Sequence, residues 1–245
     1  MKRVIALAVA LTALSSCFFK NTPGASGSLQ TFATRADKLA YEAIYNFGIT
    51  GQLAGGVSTR LEIAQSPPAV LRRLDTTSRP SLGSPITISS WFVSNASGHY
   101  ACAQYGGATR CTPDNVASST FGDAQVDGFF DLARQPDGFD SVRRETSPVR
   151  IQGERGTCFE GAPVTPSASP VRNAQATLPP ERFHYELCYS DDGILLRGRR
   201  TNLAEVEAGG TSQDYVLEVV SITRVVQPAD VQLPGPLVNP EDLKP

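Results

Sequence analysis

The hydrophobic positions of this chain follow two periods, and a period of two dominates. Between positions 41 and 49 an apolar side chain recurs at every second residue, namely Tyr41, Ala43, Tyr45, Phe47 and Ile49. Because successive side chains of a strand point to opposite faces, this alternation predicts a half-buried strand. The stretch 57–64 alternates in the same way, with Val57, Thr59, Leu61 and Ile63 on one face and Pro67-Pro68 after it. We therefore expect two antiparallel strands joined across Gly51–Gly56.

Most of the remaining chain also predicts strands. The further stretches with strand-like composition or alternation are 69–75, 86–93, 99–104, 149–154, 158–159, 183–189, 194–200 and 215–226. Turn signals separate several of them: Asn95–Gly98, Gly106-Gly107 and Asp191-Asp192-Gly193. About nine or ten strands, mostly sequential, predict an antiparallel meander, and the missing βαβ alternation argues against a doubly wound sheet. Residues 163–180 are proline-rich and predict a loop, and Pro228–Pro245 predicts an extended tail.

Two segments have helical spacing instead. The first is Ser28–Leu39, with Leu29, Phe32, Ala36 and Leu39 on one face and Ser28 as the expected N-cap. The second is Asp123–Arg134, in which Val126, Phe129 and Phe130 are followed by Leu132 or Ala133. Its acidic residues come early and Arg134 comes last, as the helix dipole favours. We expect two short helices, the second despite Gly128.

The N-terminus has the order of a secretory signal. Lys2 and Arg3 precede the apolar run Val4–Leu14, which is shorter than the roughly 20 residues needed to span a bilayer. The sequence Leu14-Ser15-Ser16-Cys17 is similar to a bacterial lipobox, which implies cleavage after residue 16 and a lipid on Cys17. The alternative is an ordinary secretory signal with a cysteine near the cut, but no Ala-x-Ala site is present. Residues 17–29 then predict a flexible tether.

Four cysteines remain after Cys17, and disulfides are the default outside the cytoplasm. Sequence alone allows three pairings. Cys102 and Cys111 bracket the Gly106-Gly107 turn, so they are expected to face one another across a hairpin, which leaves Cys158 to pair with Cys188. The alternative is a metal site that uses His184, but no CxxC is present and the spacing is not that of structural zinc. We expect no metal.

Charge and motifs exclude several classes of function. The formal net charge is −2, or −4 once Lys2 and Arg3 leave with the signal, and no basic block suggests nucleic acid. The sequence has no Gly-x-Ser-x-Gly, His-Glu-x-x-His, phosphate loop or dinucleotide glycine pattern. Its two histidines, His99 and His184, lie in strand-like segments, and Asp191-Asp192 fits a turn better than a carboxylate pair. We expect neither an enzyme nor a cofactor.

A family resemblance follows from the order of these parts. A helix and a long meander precede a mid-chain helix, and then come Ile151-Gln152-Gly153-Glu154-Arg155-Gly156-Thr157-Cys158-Phe159, the hairpin 188–197 and a last strand that runs into 229–234. This order resembles the LolA/LolB-like superfamily, nearest its actinobacterial and mycobacterial envelope lipoproteins. The resemblance covers residues 30–236, with 237–245 as an extended tail. It implies a mainly β, curved antiparallel half-barrel with two or three short helices over its concave face, an apolar cavity that can hold acyl chains, and no enzymatic activity.

The sequence offers a lining for such a cavity. The candidate ligand-binding residues are Tyr41, Tyr45, Phe47, Leu61, Ile63, Phe129 and Phe130. The alternative is that they fill a packed core, because aromatic residues at strand or helix spacing are core more often than pocket. Two functions therefore remain open: a membrane-anchored lipoprotein that binds or carries a lipid or other apolar ligand, and an envelope protein-interaction or sensor module with a filled core.

Overall fold

The helices of the computed structural model are few and short. The structure describes residues 25–50, 57–80, 82–105, 107–114, 124–135, 139–145, 147–163, 183–203 and 214–239. Helix α1 spans Ala25–Arg35 and continues as a 3₁₀ helix over Ala36–Lys38. Helix α2 spans Ala124–Asp131 and continues as a 3₁₀ helix over Leu132–Arg134. A third 3₁₀ helix spans Pro228–Val231. None of the described helices is long and apolar enough to cross a membrane.

Twelve strands form one sheet. They are β1 (Tyr41–Thr50), β2 (Val57–Ser66), β3 (Ala69–Ser78), β4 (Ile86–Asn95), β5 (Gly98–Tyr105), β6 (Ala108–Pro113), β7 (Phe139–Arg144), β8 (Val149–Ile151), β9 (Glu154–Pro163), β10 (Phe183–Ser190), β11 (Leu195–Asn202) and β12 (Asp214–Thr223). This mainly β architecture with short helices agrees with the fold class that the sequence predicts.

The sheet is antiparallel and open. Its strand order is β6-β5-β4-β3-β2-β1-β12-β11-β10-β9-β7, and β8 pairs with β9 next to β7. The chain thus forms two meanders, β1–β6 and β7–β12, which are joined where β1 pairs with β12. In sequence, α2 lies between β6 at one edge and β7 at the other. The first and last strands therefore meet in the middle of the sheet.

One face of the sheet, called the helix face below, carries Tyr41, Tyr45, Leu61 and Ile63. Tyr45 lies opposite Leu61 on β2 and Val219 on β12, so the apolar positions of three strands align. The two helices cover this face with buried residues at helical spacing: Leu29, Phe32, Ala33 and Ala36 from α1 and its extension, and Val126, Phe129, Phe130 and Ala133 from α2 and its extension. The main hydrophobic core lies between these helices and the sheet.

Two glycines permit the close approach of helix and sheet. Gly193, in the β10–β11 turn, has φ +88°, and a Cβ there would lie 2.4 Å from the backbone oxygen of Phe32. A Cβ on Gly198 in β11 would lie 2.4 Å from Cδ1 of Phe129. Since real Cβ contacts are never this short, α1 and α2 reach these distances because glycine has no side chain.

The opposite face has a second, smaller core. Its buried residues are Ala64, Leu71, Trp91, Val93, Tyr100, Cys102, Cys111 and Val231. Val231 belongs to the C-terminal strap, by which we mean residues 226–238, and Val226 and Leu233 of the strap also pack here. At the edge of the sheet, Cys111 N–H donates to Pro236 O (3.0 Å) and Val238 N–H donates to Cys111 O (2.9 Å). The strap therefore covers part of the open edge of β6.

Both predicted disulfides are present. Cys102 and Cys111 are direct partners across β5 and β6, with Cα atoms 4.0 Å apart. Cys158 and Cys188 are direct partners across β9 and β10, with Cα atoms 3.9 Å apart. Each disulfide therefore joins two neighbouring strands, and each meander contains one disulfide.

The predicted start of the first helix was wrong. Helix α1 begins at Ala25, so Ser28 lies inside the helix and is not its N-cap, and the predicted tether at 17–29 and domain start at 30 overlap the helix. The helical spacing of apolar residues begins only at Leu29, so it gives no sign of the helical residues that precede it. The predicted signal, Cys17 and residues up to 24 lie outside the described part of the chain and stay predictions.

Other corrections concern the second meander. The predicted strand 149–154 is two strands, β8 and β9, because Gln152 and Gly153 adopt positive φ and form a turn. Strand β7 was not predicted, and the described sheet has twelve strands rather than about nine or ten. The tail predicted from Pro228 begins with a 3₁₀ helix and packs on the sheet. Most of the predicted loop at 163–180 lies outside the described residues.

Candidate functional site

The predicted lining residues lie together between the helices and the sheet. Six of them, Tyr41, Tyr45, Leu61, Ile63, Phe129 and Phe130, belong to the main core, and Phe47 packs against it partly buried. The rings of Tyr45 and Phe130 meet edge to face with centroids 5.8 Å apart. Those of Phe47 and Phe129 are 6.4 Å apart. The helix α2 thus contributes its two phenylalanines to the aromatic side of β1.

The space between helices and sheet is nearly filled. Within the described residues it contains a partly open cavity with a volume of about 10 Å³ available to the centre of a water molecule, which is room for about one water. Its lining residues are Ala33, Ala36, Tyr41, Phe130, Arg134, Tyr189, Gly193 and Leu195. An acyl chain does not fit a volume of this size. The arrangement is a closed one, in which aromatic side chains take the space that the resemblance assigns to a ligand.

Buried phenols stand out in this otherwise apolar region. Tyr45 is fully buried and Tyr189 is 3% exposed, and neither hydroxyl has a hydrogen-bond partner within the described chain. Burial raises the pKa of Tyr41 to about 12, and it also raises the pKa values of Tyr45 and Tyr189. An unpaired buried hydroxyl destabilises a fold by about 1–3 kcal/mol. Both tyrosines belong to the main core.

A cation lies at the rim of the same cavity. The guanidinium of Arg134 donates to Oδ1 of Asp37 at 2.8 Å and to the backbone oxygen of Phe130 at 3.3 Å. Its side chain is 27% exposed and that of Asp37 is 45% exposed. Burial lowers the pKa of Arg134, but Asp37 and Tyr41 outweigh burial and raise it overall, so the guanidinium stays charged. The cavity therefore combines one fixed positive charge with phenolic donors.

Sequence reasoning missed Arg134 and Tyr189 as site residues. Arg134 appeared only as a favourable charge at a helix end, and Tyr189 only as part of a strand. They come from the 3₁₀ extension of α2 and from β10, which are 55 positions apart, and meet because α2 and its extension pack on the helix face. One signal was available: Tyr189 directly follows Cys188 in β10 and therefore points to the face opposite the disulfide.

The described residues offer no metal or catalytic centre at this place. Ligand atoms of Cys158, Glu186 and Cys188 lie within 4.8 Å of one another, but both thiols are joined in a disulfide. His184 lies 4.0 Å from Glu160 and shares the face of Cys188, away from the helices. Asp191 and Asp192 lie in the β10–β11 turn, where Asp192 accepts hydrogen bonds from Ser190 and Arg224.

Comparisons with known proteins give likenesses in structure only. No family model and no curated protein matches the sequence. LprF from Mycobacterium bovis is similar with a TM-score of 0.48 and 11% identity, over 88% of this chain and 99% of LprF. MucB, solved in complex with MucA(peri), gives 0.46 and 16%, over 86% of this chain and 59% of MucB. The Mycobacterium tuberculosis lipoprotein LppX gives 0.42 and 12%, over 85% and 97%.

These likenesses concern general architecture, because the identities are 16% or less and the TM-scores lie below 0.5. No function is transferred from them. The observed features are an open antiparallel sheet, two short helices packed on one face, and a β1–β12 pairing that joins two meanders. The first two are the features that the sequence resemblance implied.

Proposed function

We propose that this chain is a membrane-anchored extracytoplasmic protein without enzymatic activity, and that it binds an apolar ligand between the helix face and α2. The observation that carries the proposal is the pair of buried, unpaired hydroxyls of Tyr45 and Tyr189 in an aromatic core. A core that serves only packing favours phenylalanine at such positions, since it avoids the desolvation of a hydroxyl. A ligand with a polar atom removes that penalty.

Ligand entry requires movement of α2. This helix has only eight residues and holds its place chiefly through Val126, Phe129 and Phe130. An acyl chain that replaces the two phenylalanine rings keeps the sheet side of the core out of water, because hydrocarbon contacts substitute for ring contacts. Most of the apolar area therefore stays buried in both forms, so the free-energy difference between the closed and the ligand-bound form is small.

The anchor and the compartment support a role at a membrane. The sequence predicts a lipid on Cys17, and the two disulfides are typical of proteins outside the cytoplasm. Between Cys17 and the start of α1 at Ala25 lie only seven residues, which reach at most about 25 Å. A domain on so short a tether stays within reach of the membrane lipids.

Lipid analysis of the full chain tests this proposal. The chain, expressed with its own signal and purified from membranes in mild detergent, is measured by native mass spectrometry and then denatured for lipid extraction. We expect a noncovalent apolar ligand at up to one per chain. Phe129→Trp and Phe130→Trp, which overfill the space under α2, should lower this occupancy. Trp91→Phe, on the opposite face, is the matched control. The proposal is overturned if no preparation of the chain contains a bound ligand.

A second candidate function is a protein-interaction module with a filled core. One observation favours it: Val57, Ile86 and Ile88 lie on the helix face at one end of the sheet and are 64%, 60% and 66% exposed. Val57 and Ile86 both pair with Ser78, so these side chains form one apolar patch. If Val57→Ser with Ile88→Ser abolishes binding of an envelope protein while lipid is absent from every preparation, this second function replaces the first.

A further inference from the structure

The polar groups of the cavity all have one electrostatic character. Arg134, Tyr41 and Tyr189 are its polar lining residues within the described chain, and no carboxylate is among them. A guanidinium presents hydrogen-bond donors in a fixed planar array, and a phenol of raised pKa remains protonated and donates its hydrogen. Such a set binds an acceptor with negative charge.

From this geometry we infer that the pocket formed by Arg134, Tyr41 and Tyr189 binds the anionic head group of an amphiphile, a phosphate or a carboxylate. The inference rests on the proposed function, because the acyl part of the same ligand takes the place of the rings of α2. The unpaired hydroxyl of Tyr189 lines the cavity and donates to the anion. The head group then lies at the partly open end, and the acyl chain lies under Phe129 and Phe130.

In the closed form the charge of Arg134 is paired with Asp37, which lies outside the cavity lining. Its carboxylate pairs with Arg134 at 2.8 Å and is nearly half exposed, so it can turn into water when a stronger anion arrives. Arg134 also donates to the backbone oxygen of Phe130, the residue whose ring lines the cavity. Displacement of Asp37 and movement of α2 are therefore linked through one side chain.

A matched lipid pair tests the inference. The full chain in mild detergent is titrated with dioleoyl phosphatidic acid and with dioleoylglycerol, which share their acyl chains and differ in the phosphate. Affinities are measured by native mass spectrometry, and inorganic phosphate is added in a separate arm. We expect phosphatidic acid to bind at least about tenfold more tightly, as a charged hydrogen bond permits. Phosphate alone should compete only at millimolar concentration.

Variants test whether the preference for phosphatidic acid arises in the pocket. Arg134→Gln should bring the ratio of the two affinities close to one. Asp37→Asn, which removes the competing carboxylate, should tighten phosphatidic acid severalfold. Tyr189→Phe retains the ring and should weaken phosphatidic acid alone. Arg110→Gln, an exposed change on β6 with the same loss of charge, is the control. Circular dichroism verifies that each variant is folded.

The outcomes separate the two levels of the proposal. If neither lipid binds, both the proposed function and this inference are overturned. If the lipids bind equally, the function stands and the anionic head group is rejected. A preference that survives both Arg134→Gln and Tyr189→Phe rejects the pocket as its location. Tight binding of phosphate without an acyl chain assigns the pocket to a free anion and overturns the amphiphile.

Discussion

At the scale of single residues, the helix face depends on positions where a side chain is absent or a hydroxyl is buried. Gly198 lies directly beneath Phe129, and the phenols of Tyr41, Tyr45 and Tyr189 lie in the core. Strand alternation identifies the first two tyrosines as inward-facing. It does not say that Gly198 must be glycine, because this follows from the approach of α2, which is distant in sequence.

Gly198→Ala is expected to lower the free energy of unfolding by about 1–3 kcal/mol, because its Cβ would lie 2.4 Å from the ring of Phe129. The measurement is urea denaturation with the disulfides intact. Gly48→Ala in β1 is the matched control, since a Cβ there meets nothing within 4 Å. Its effect should stay within about 0.5 kcal/mol. Equal losses for both variants would contradict the close packing of α2 on β11.

The buried tyrosines predict an alkaline loss of stability. Burial raises the pKa of Tyr41 to about 12 from 10.0, so the unfolded chain releases the phenolic proton first. The contribution of Tyr41 is fully present below pH 10 and is lost as the pH rises to 12, by up to about 3 kcal/mol. Tyr41→Phe should flatten this decline in unfolding curves measured at pH 9 to 12. An equally steep decline in the variant would assign the effect to other groups.

At the scale of elements, each meander has its own disulfide, and the strap covers part of the sheet edge at β6. The Cys102–Cys111 bridge joins β5 and β6, and the Cys158–Cys188 bridge joins β9 and β10. Both pairings were predictable. A turn between two strand-like stretches brings Cys102 and Cys111 together, and the two remaining cysteines must then pair with each other. The strap was not predictable, because Val231 finds its partners on β2 to β6, more than a hundred positions away.

Removal of the two disulfides should have unequal effects. The bridges span 9 and 30 residues, and the chain-entropy model assigns them about 2.6 and about 3.6 kcal/mol. We expect the double variant Cys158→Ala with Cys188→Ala to unfold at lower urea than Cys102→Ala with Cys111→Ala. The reverse order would mean that packing around the bridges outweighs loop closure.

Truncation tests the strap. A chain that ends at Gln227 loses Val231 from the second core and both backbone hydrogen bonds of the strap to Cys111. It should lose several kcal/mol of stability and associate through the bare edge of β6, which light scattering measures. A chain that ends at Asn239 retains these contacts and should remain unchanged. Association of both truncated chains would remove the strap as the cause.

At the scale of the whole molecule, the two meanders meet at β1 and β12, and α2 covers the sheet near this junction. The junction places β1, with Tyr41, Tyr45 and Phe47, at the centre of the sheet. A ligand that moves α2 therefore acts on the middle of the sheet and leaves both edges in place. The anchor predicted at Cys17 would hold this whole unit to the membrane.

Cys17→Ser should remove the anchor without changing the fold. Loss of the thiol prevents lipid attachment, so the variant should not incorporate radiolabelled palmitate. Its circular dichroism and disulfide content should equal those of the original chain, because α1 begins only at Ala25. Arg3→Lys, which retains the positive start of the signal, is the control. Undiminished palmitate labelling of the variant would place the lipid elsewhere or reject the lipobox.

Local pattern determined much of this protein. Alternation along β1 and β2, the helical spacing around Phe32 and Phe129, and the cysteine pairings all depend on neighbours in sequence or on a single turn. The seven residues that the sequence offers as a lining lie together in or against the main core, and their role in binding stays a prediction. Strand β7 and the division between β8 and β9 were not predicted, because short strands have too few alternating positions to reveal a period.

Only the tertiary structure decided how full the helix face is and which polar groups lie there. Whether seven aromatic and aliphatic residues enclose a cavity or fill it depends on the distance between α2 and the sheet, and Gly198 makes that distance short. The meeting of Arg134 with Tyr41 and Tyr189 likewise needs three segments to converge. Sequence periodicity reports which side of a strand is buried, whereas the contacts across the core depend on packing between distant elements.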